Sequence, residues 1–136
     1  MQQLKREFWI AFAEAYPRKW LLYDTKIKDF SFKFSAEGKT ARVMIDIEPR
    51  DVDKRHAYFE KVESLKSLLA EYIPEMEFER DLTLETGKTI SRISTTLSGV
   101  TLGNRNDWTR IFEFFAKQMA ALELFYWEYE SVIKDI

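Results

Sequence analysis

The C-terminal end of the chain constrains the fold most strongly. Large apolar residues recur at Trp108, Phe112, Phe115, Met119, Leu122, Tyr126, Tyr129 and Ile133, alternately four and three positions apart. That spacing predicts one long helix with a continuous apolar stripe. A coiled coil would bury such a stripe, but a two-stranded seam favours Ile, Val and Leu, whereas this stripe is mostly aromatic. The better prediction is a long helix laid across a sheet, which the rest of the chain must supply.

Two stretches have the period of strands. Phe30, Phe32 and Phe34 alternate with Ser31, Lys33 and Ser35; beyond Gly38, Ala41, Val43, Ile45 and Ile47 alternate with Arg42, Met44, Asp46 and Glu48. Alternation with a glycine between the two runs predicts a hairpin of half-buried strands. Met76, Phe78, Leu82 and Leu84 repeat the pattern, followed by Gly87 and then Ile90, Ile93 and Leu97. The last three change parity, so a bulge is expected near Arg92. Between the hairpins, Pro49 ends a strand, Asp51 is placed to cap a helix, and Tyr58, Val62, Leu65, Leu69 and Tyr72 form one stripe before Pro74. Leu4, Phe8, Ala11, Phe12 and Ala15 predict a first helix that stops ahead of Pro17. Trp20, Leu21 and Leu22 read as a buried crossing, and Asn104 or Asn106 is expected to cap the last helix.

Together these elements predict a single α+β domain over 1–136. Helix 2–16 is followed by two ββα units, 30–73 and 75–133, with a four-stranded, mainly antiparallel sheet and helices packed on one face. The two units share a motif, AEGKT (Ala36–Thr40) and ETGKT (Glu85–Thr89). Gly-Lys-Thr ends a phosphate-binding P-loop, but the first glycine of that loop would stand at Lys33 or Leu82. Each copy also leads into alternating residues, not into a helix whose N-terminus could hold an anion. Both copies are expected to be turns.

With 32% charged residues the chain has enough charge for a well-solvated surface, and its net charge of −2 creates no field favouring nucleic acid or an acidic membrane. The absence of cysteine excludes disulfides and thiolate metal sites and fits a reducing compartment. The beginning MQQLKREFW lacks the apolar core of a signal peptide, and no apolar run is long enough to span a bilayer. A cytoplasmic protein without membrane contact is expected.

The candidate chemistry is sparse. His56 is the lone histidine and reads as a surface residue; Ser98 has no paired base. Asp46 and Glu48 lie on one side of a strand and could present two carboxylates to a divalent metal. The Glu-x-Lys that a restriction-type nuclease needs is, however, Glu48-Pro49-Arg50 here. No catalytic residue, metal ligand or cofactor is assigned. Alternating charge instead predicts a solvent face made of Ser31, Lys33, Arg42, Asp46, Glu48, Glu77 and Glu79. On that reading, Asp46 and Glu48 are replaceable without harm to the fold. An antiparallel sheet can use such a face to bind a partner. Its mixed signs and lack of paired aromatics suit a protein better than a nucleic-acid strand. On the last helix, Ile111, Phe114, Phe125 and Val132, beside Ala121, widen the apolar surface beyond one stripe. They are the expected face of a homodimer.

REFWIAFAE (Arg6–Glu14), the run Ala41–Leu69, MEFERD (Met76–Asp81), TISRIS (Thr89–Ser94) and the run Asp107–Tyr126 together resemble the bacterial family catalogued as domain of unknown function 4268. In that family the domain occurs alone or behind a restriction-endonuclease-like domain. The resemblance implies an accessory or interaction role and carries no active-site residues. The expectation is a non-enzymatic binding or protein-interaction module that associates with itself. The alternatives are a nucleic-acid-associated accessory domain of a restriction or defence system and, below that, a metal-dependent hydrolase using Asp46 and Glu48.

Overall fold

Both alternating stretches are hairpins, and their turns differ. The structure is a computed structural model describing residues 2–136. β1 (Phe30–Glu37) pairs with β2 (Thr40–Ile47) without a slip, from Phe30↔Ile47 to Glu37↔Thr40. Gly38 and Lys39 alone make that turn, with Gly38 at φ +56°, as a two-residue II′ connection with glycine in first place requires. β3 (Glu77–Thr83) and β4 (Thr89–Ser98) close at Thr83↔Thr89, and the Leu84 N–H donates to the Lys88 carbonyl. Gly87, at φ +89°, therefore sits inside a longer loop. Both Gly-Lys-Thr stretches serve turns, but they are not equivalent positions of a repeat.

The strand order is β1-β2-β4-β3, antiparallel throughout, so the inner strands of the two hairpins pair with each other. The bulge lies on β3, not on β4. Glu79 pairs with Arg92 and Leu82 with Ile90, leaving Arg80 and Asp81 opposite Ser91 alone. β4 itself is regular, so Ile93 joins the helix-side core while Ile90, equally buried, stands outside that cluster. The parity change in the sequence marks a strand buried on both sides.

α1 (Gln2–Ala15), α2 (Val52–Ser64), the short α3 (Lys66–Leu69) and α4 (Trp108–Lys134) complete the chain. Asp51 caps α2 as expected, accepting from the amides of Asp53 and Lys54. The single helix expected to run to Tyr72 is broken at Leu65, whose φ of −98° and ψ of 13° leave the helical region. Asn104 caps a 3-10 turn (Arg105–Asp107) rather than α4, and Asn106 caps nothing. The Asp107 carboxylate, at the N-cap of α4, is taken by the Thr101 amide.

α4 lies across the sheet, as its aromatic stripe predicts. Phe115 meets Phe34 with ring centroids 4.8 Å apart, and Tyr126 stands edge-on to Phe32 at 5.4 Å. α1 then packs along α4: Phe8 touches Trp108 and Phe112 at 5.3 and 5.2 Å, and Phe12 reaches Phe115 at 5.4 Å. This packing bears on the expected dimer face. Ile111 and Phe125 are each 1% exposed and belong to the core of the chain itself, with Phe125 against Tyr72 and Tyr129. Phe114 is half-buried against that core, and only Val132 is exposed. Among the described residues no helix is long and apolar enough to cross a membrane.

The segment 17–29 runs beside β1, and the Leu22 carbonyl accepts from the Phe32 amide. Thr25 and Ile27 are its buried residues; Trp20, Leu21 and Leu22, expected to be buried, are half-exposed. The segment turns sharply through left-handed backbone at Leu22, Lys26 and Asp29, a region costly for residues other than glycine. It is held there from α4. Glu123, 1% exposed, accepts from the Arg18 guanidinium at 2.6 Å and the Leu21 amide at 2.7 Å. The Tyr126 hydroxyl donates to the Thr25 carbonyl, and burial first, then the nearby Glu130 charge, pushes its pKa up to about 12.

Candidate functional site

Strand alternation turns Arg42, Met44 and Asp46 of β2 away from the helices, and the antiparallel register adds their neighbours. Asp46 lies opposite Ser31 on β1 and Arg92 on β4; Met44 lies opposite Lys33 and Ser94. The face expected to be solvated is closed at its centre. Asp46, on the internal strand β2, is 1% exposed because the long side chains of Arg92 and Lys33 close over it, and Ser31, on the edge strand β1, is 4% exposed beside Asp46.

Asp46 is the hub of an ion-pair network. It accepts from Arg92 through both oxygens, at 2.7 Å from Nε and 3.0 Å from Nη2, and Lys33 Nζ stands 3.3 Å away. Lys33 continues to Glu48 at 2.9 Å, and Glu48 accepts from Lys88 at 3.0 Å on its other oxygen. The bidentate fork is the strong form of this contact. The hydrogen bond with Asp46 holds the Arg92 guanidinium still more firmly protonated, against the opposing effect of burial. For Glu48, burial alone would raise the pKa, but hydrogen bonds from Lys33 and Lys88 outweigh it and hold the carboxyl below its usual range. Burial would likewise lower the Lys33 pKa, yet Glu48 and Asp46 raise it. A metal ion at Asp46 would have to displace a guanidinium from both oxygens. Among the described residues, no group of three His, Asp or Glu side chains is arranged to hold a metal ion.

Beside the network lies a shallow groove of about 620 Å³ lined by Thr40, Arg42, Met76, Glu77, Ser94 and Thr96, among others. Of the seven residues expected on this face, the structure thus unites Lys33, Asp46 and Glu48 in the network, buries Ser31 opposite Asp46 and places Arg42 and Glu77 on the groove. Glu79 faces Arg92 across the β3–β4 pair. Sequence reading missed Arg92 and Lys88, which complete the network; only the β2–β4 register points to Arg92. A second depression, of about 580 Å³, is rimmed by Lys28, Arg50, Lys54 and Lys88 together with Asp29, Glu48 and Asp51.

His56 is not an isolated surface residue. Its Nε2 lies 2.8 Å from Asp81, which also accepts from Arg55 at 2.9 Å. The hydrogen bond with His56, then that from Arg55, holds the Asp81 carboxyl below its ordinary pKa. Arg55 is 4% exposed and also donates to the Arg80 carbonyl and Ser91 Oγ. It ties α2 to the bulge, and the unpaired backbone of Arg80 finds its donors there.

Fold and face define an α+β domain whose antiparallel sheet is packed against helices on one side and carries a network of paired charges on the other. The chain belongs to the family described as Domain of unknown function (DUF4268), whose model matches residues 4–130. Both hairpins, the network and nearly all of α4 fall within that match. No curated protein and no solved structure matches it.

Proposed function

We propose that the chain works as a single non-enzymatic binding domain in the cytoplasm, offering the sheet face turned away from its helices to a protein partner. The observation that supports this reading is the state of Asp46. Its carboxylate is buried and doubly bonded to Arg92, which suits a rigid floor and not a reacting or metal-binding group. Around this floor, the hydroxyls of Thr40, Ser94 and Thr96, the Met76 thioether and the opposite charges of Arg42 and Glu77 offer the mixed polar and apolar lining of a protein-binding surface.

A photo-crosslinking amino acid at the exposed Thr96 tests this in the native host. The expected result is one discrete protease-sensitive adduct, lost when Arg42→Glu is added and not formed from the helix-side Glu63. No adduct at Thr96, or equal capture from Glu63, overturns the reading. An accessory role beside nucleic acid has one observation in its favour, the cations Lys28, Arg50, Lys54 and Lys88 around the second depression. A nuclease-sensitive adduct would favour that role.

A further inference from the structure

The outer side of α4 is left unpartnered. Its exposed residues include Arg110, Lys117, Leu124, Trp127 and Glu128, with the half-buried Ala120 and Ala121 at mid-helix. Leu124 is 57% exposed and Trp127 54%, on a helix whose other sides are packed. Two features of this stripe point to what covers it.

The first is shape. The small Ala120 and Ala121 lie one turn before the large Leu124 and about two turns before Trp127, so the stripe is small-then-large along its length. A second α4 running antiparallel about an axis between Leu122 and Glu123 brings each Leu124 level with the other chain's Ala121. The same axis sets each Trp127 near Ala120. The second feature is charge. About that axis Lys117 comes level with Glu128 and Arg110 with Asp135, each contact occurring twice. Glu113, the acid in the basic half, comes within a turn of Lys134. Among the described residues, Arg110, Lys117, Glu128 and Asp135 make no ion pair within the chain. Arg110 in the first turn of α4 and Asp135 at its C-cap also oppose the helix macrodipole. Their placement costs α4 alone and is offset by an antiparallel copy.

We propose that this stripe pairs with a second copy of the same chain, antiparallel and at a shallow crossing of about 20°. The interface is not the one expected from Ile111, Phe114, Phe125 and Val132, and it is independent of the sheet face. Exposed apolar side chains flanked by mutually complementary charges are what an isologous contact requires.

Sedimentation and light scattering should report twice the 16.3 kDa chain mass. Trp127→Glu, an exposed change, should weaken the dimer by at least about 30-fold while leaving the circular dichroism spectrum intact. Lys117→Glu and Glu128→Lys should each weaken it about tenfold, and the double swap should restore it. Because the chain has no cysteine, introduced ones report geometry directly. Leu124→Cys should form a disulfide dimer under mild oxidation. Arg110→Cys should not, since its two copies would lie roughly 35 Å apart along the helices. A wild-type monomer at high micromolar concentration overturns the proposal, as does a double swap that fails to restore association. Cross-linking through Arg110→Cys as fast as through Leu124→Cys replaces it with a parallel pair.

Discussion

Asp46→Ala tests the network directly, because alternation along β2 and the structure predict opposite outcomes. A charged residue on a solvated face is replaceable at little cost. A carboxylate that is 1% exposed and pairs with two cations is not. Removing one partner of a fully buried pair costs about 3–5 kcal/mol, mostly as the uncompensated charge left behind. Here Arg92 and Lys33 retain 19% and 27% exposure, and Lys33 keeps Glu48, so water and Glu48 recover part of that cost. The expected loss is about 2–3 kcal/mol, or roughly 10 °C in Tm for a domain of this size. Urea unfolding followed through the fluorescence of the four tryptophans measures it. Asp46→Leu combined with Arg92→Met removes both charges and should recover most of the loss, because a matched apolar pair leaves nothing unpaired. A single variant within about 0.5 kcal/mol of wild type would refute the reasoning, as would a double variant no better than the single.

Glu123→Ala should release segment 17–29 by unpairing Arg18 and the Leu21 amide, at about 1–3 kcal/mol; unchanged hydrogen exchange at Leu21 and Thr25 would contradict this. Glu48 has its folded pKa depressed by Lys33 and Lys88, so its contribution is present above the unfolded value of 4.5 and is lost as pH falls through the lower folded value. Wild type should therefore exceed Glu48→Gln in stability at pH 7, with the difference shrinking below pH 4.5; a constant difference down to pH 3 would show that the pairing is not what matters.

Period and punctuation made much of the fold readable. Phe30–Phe32–Phe34 and Val43–Ile45–Ile47 announce strands because successive side chains must point to opposite faces. Gly38 announces the turn because few other residues accept its φ. Asp51 announces a helix start, and the aromatic stripe of α4 announces a helix that needs a broad support. All of these are set by residues within a few positions of one another. Which faces end up covered was decided only in three dimensions. Asp46 and Arg92 stand 46 residues apart in the chain, and nothing local says that β2 pairs with β4 in the register that joins them. Glu123 reaches Arg18 across 105 residues, and Arg55 of α2 donates to the bulge on β3 from 25 residues away. Ile111 and Phe125 look like surplus apolar surface until the packing around α4 covers them. Local periodicity states which side chains share a face; burial and charge pairing depend on what distant segments bring to that face, and only the packed chain supplies that.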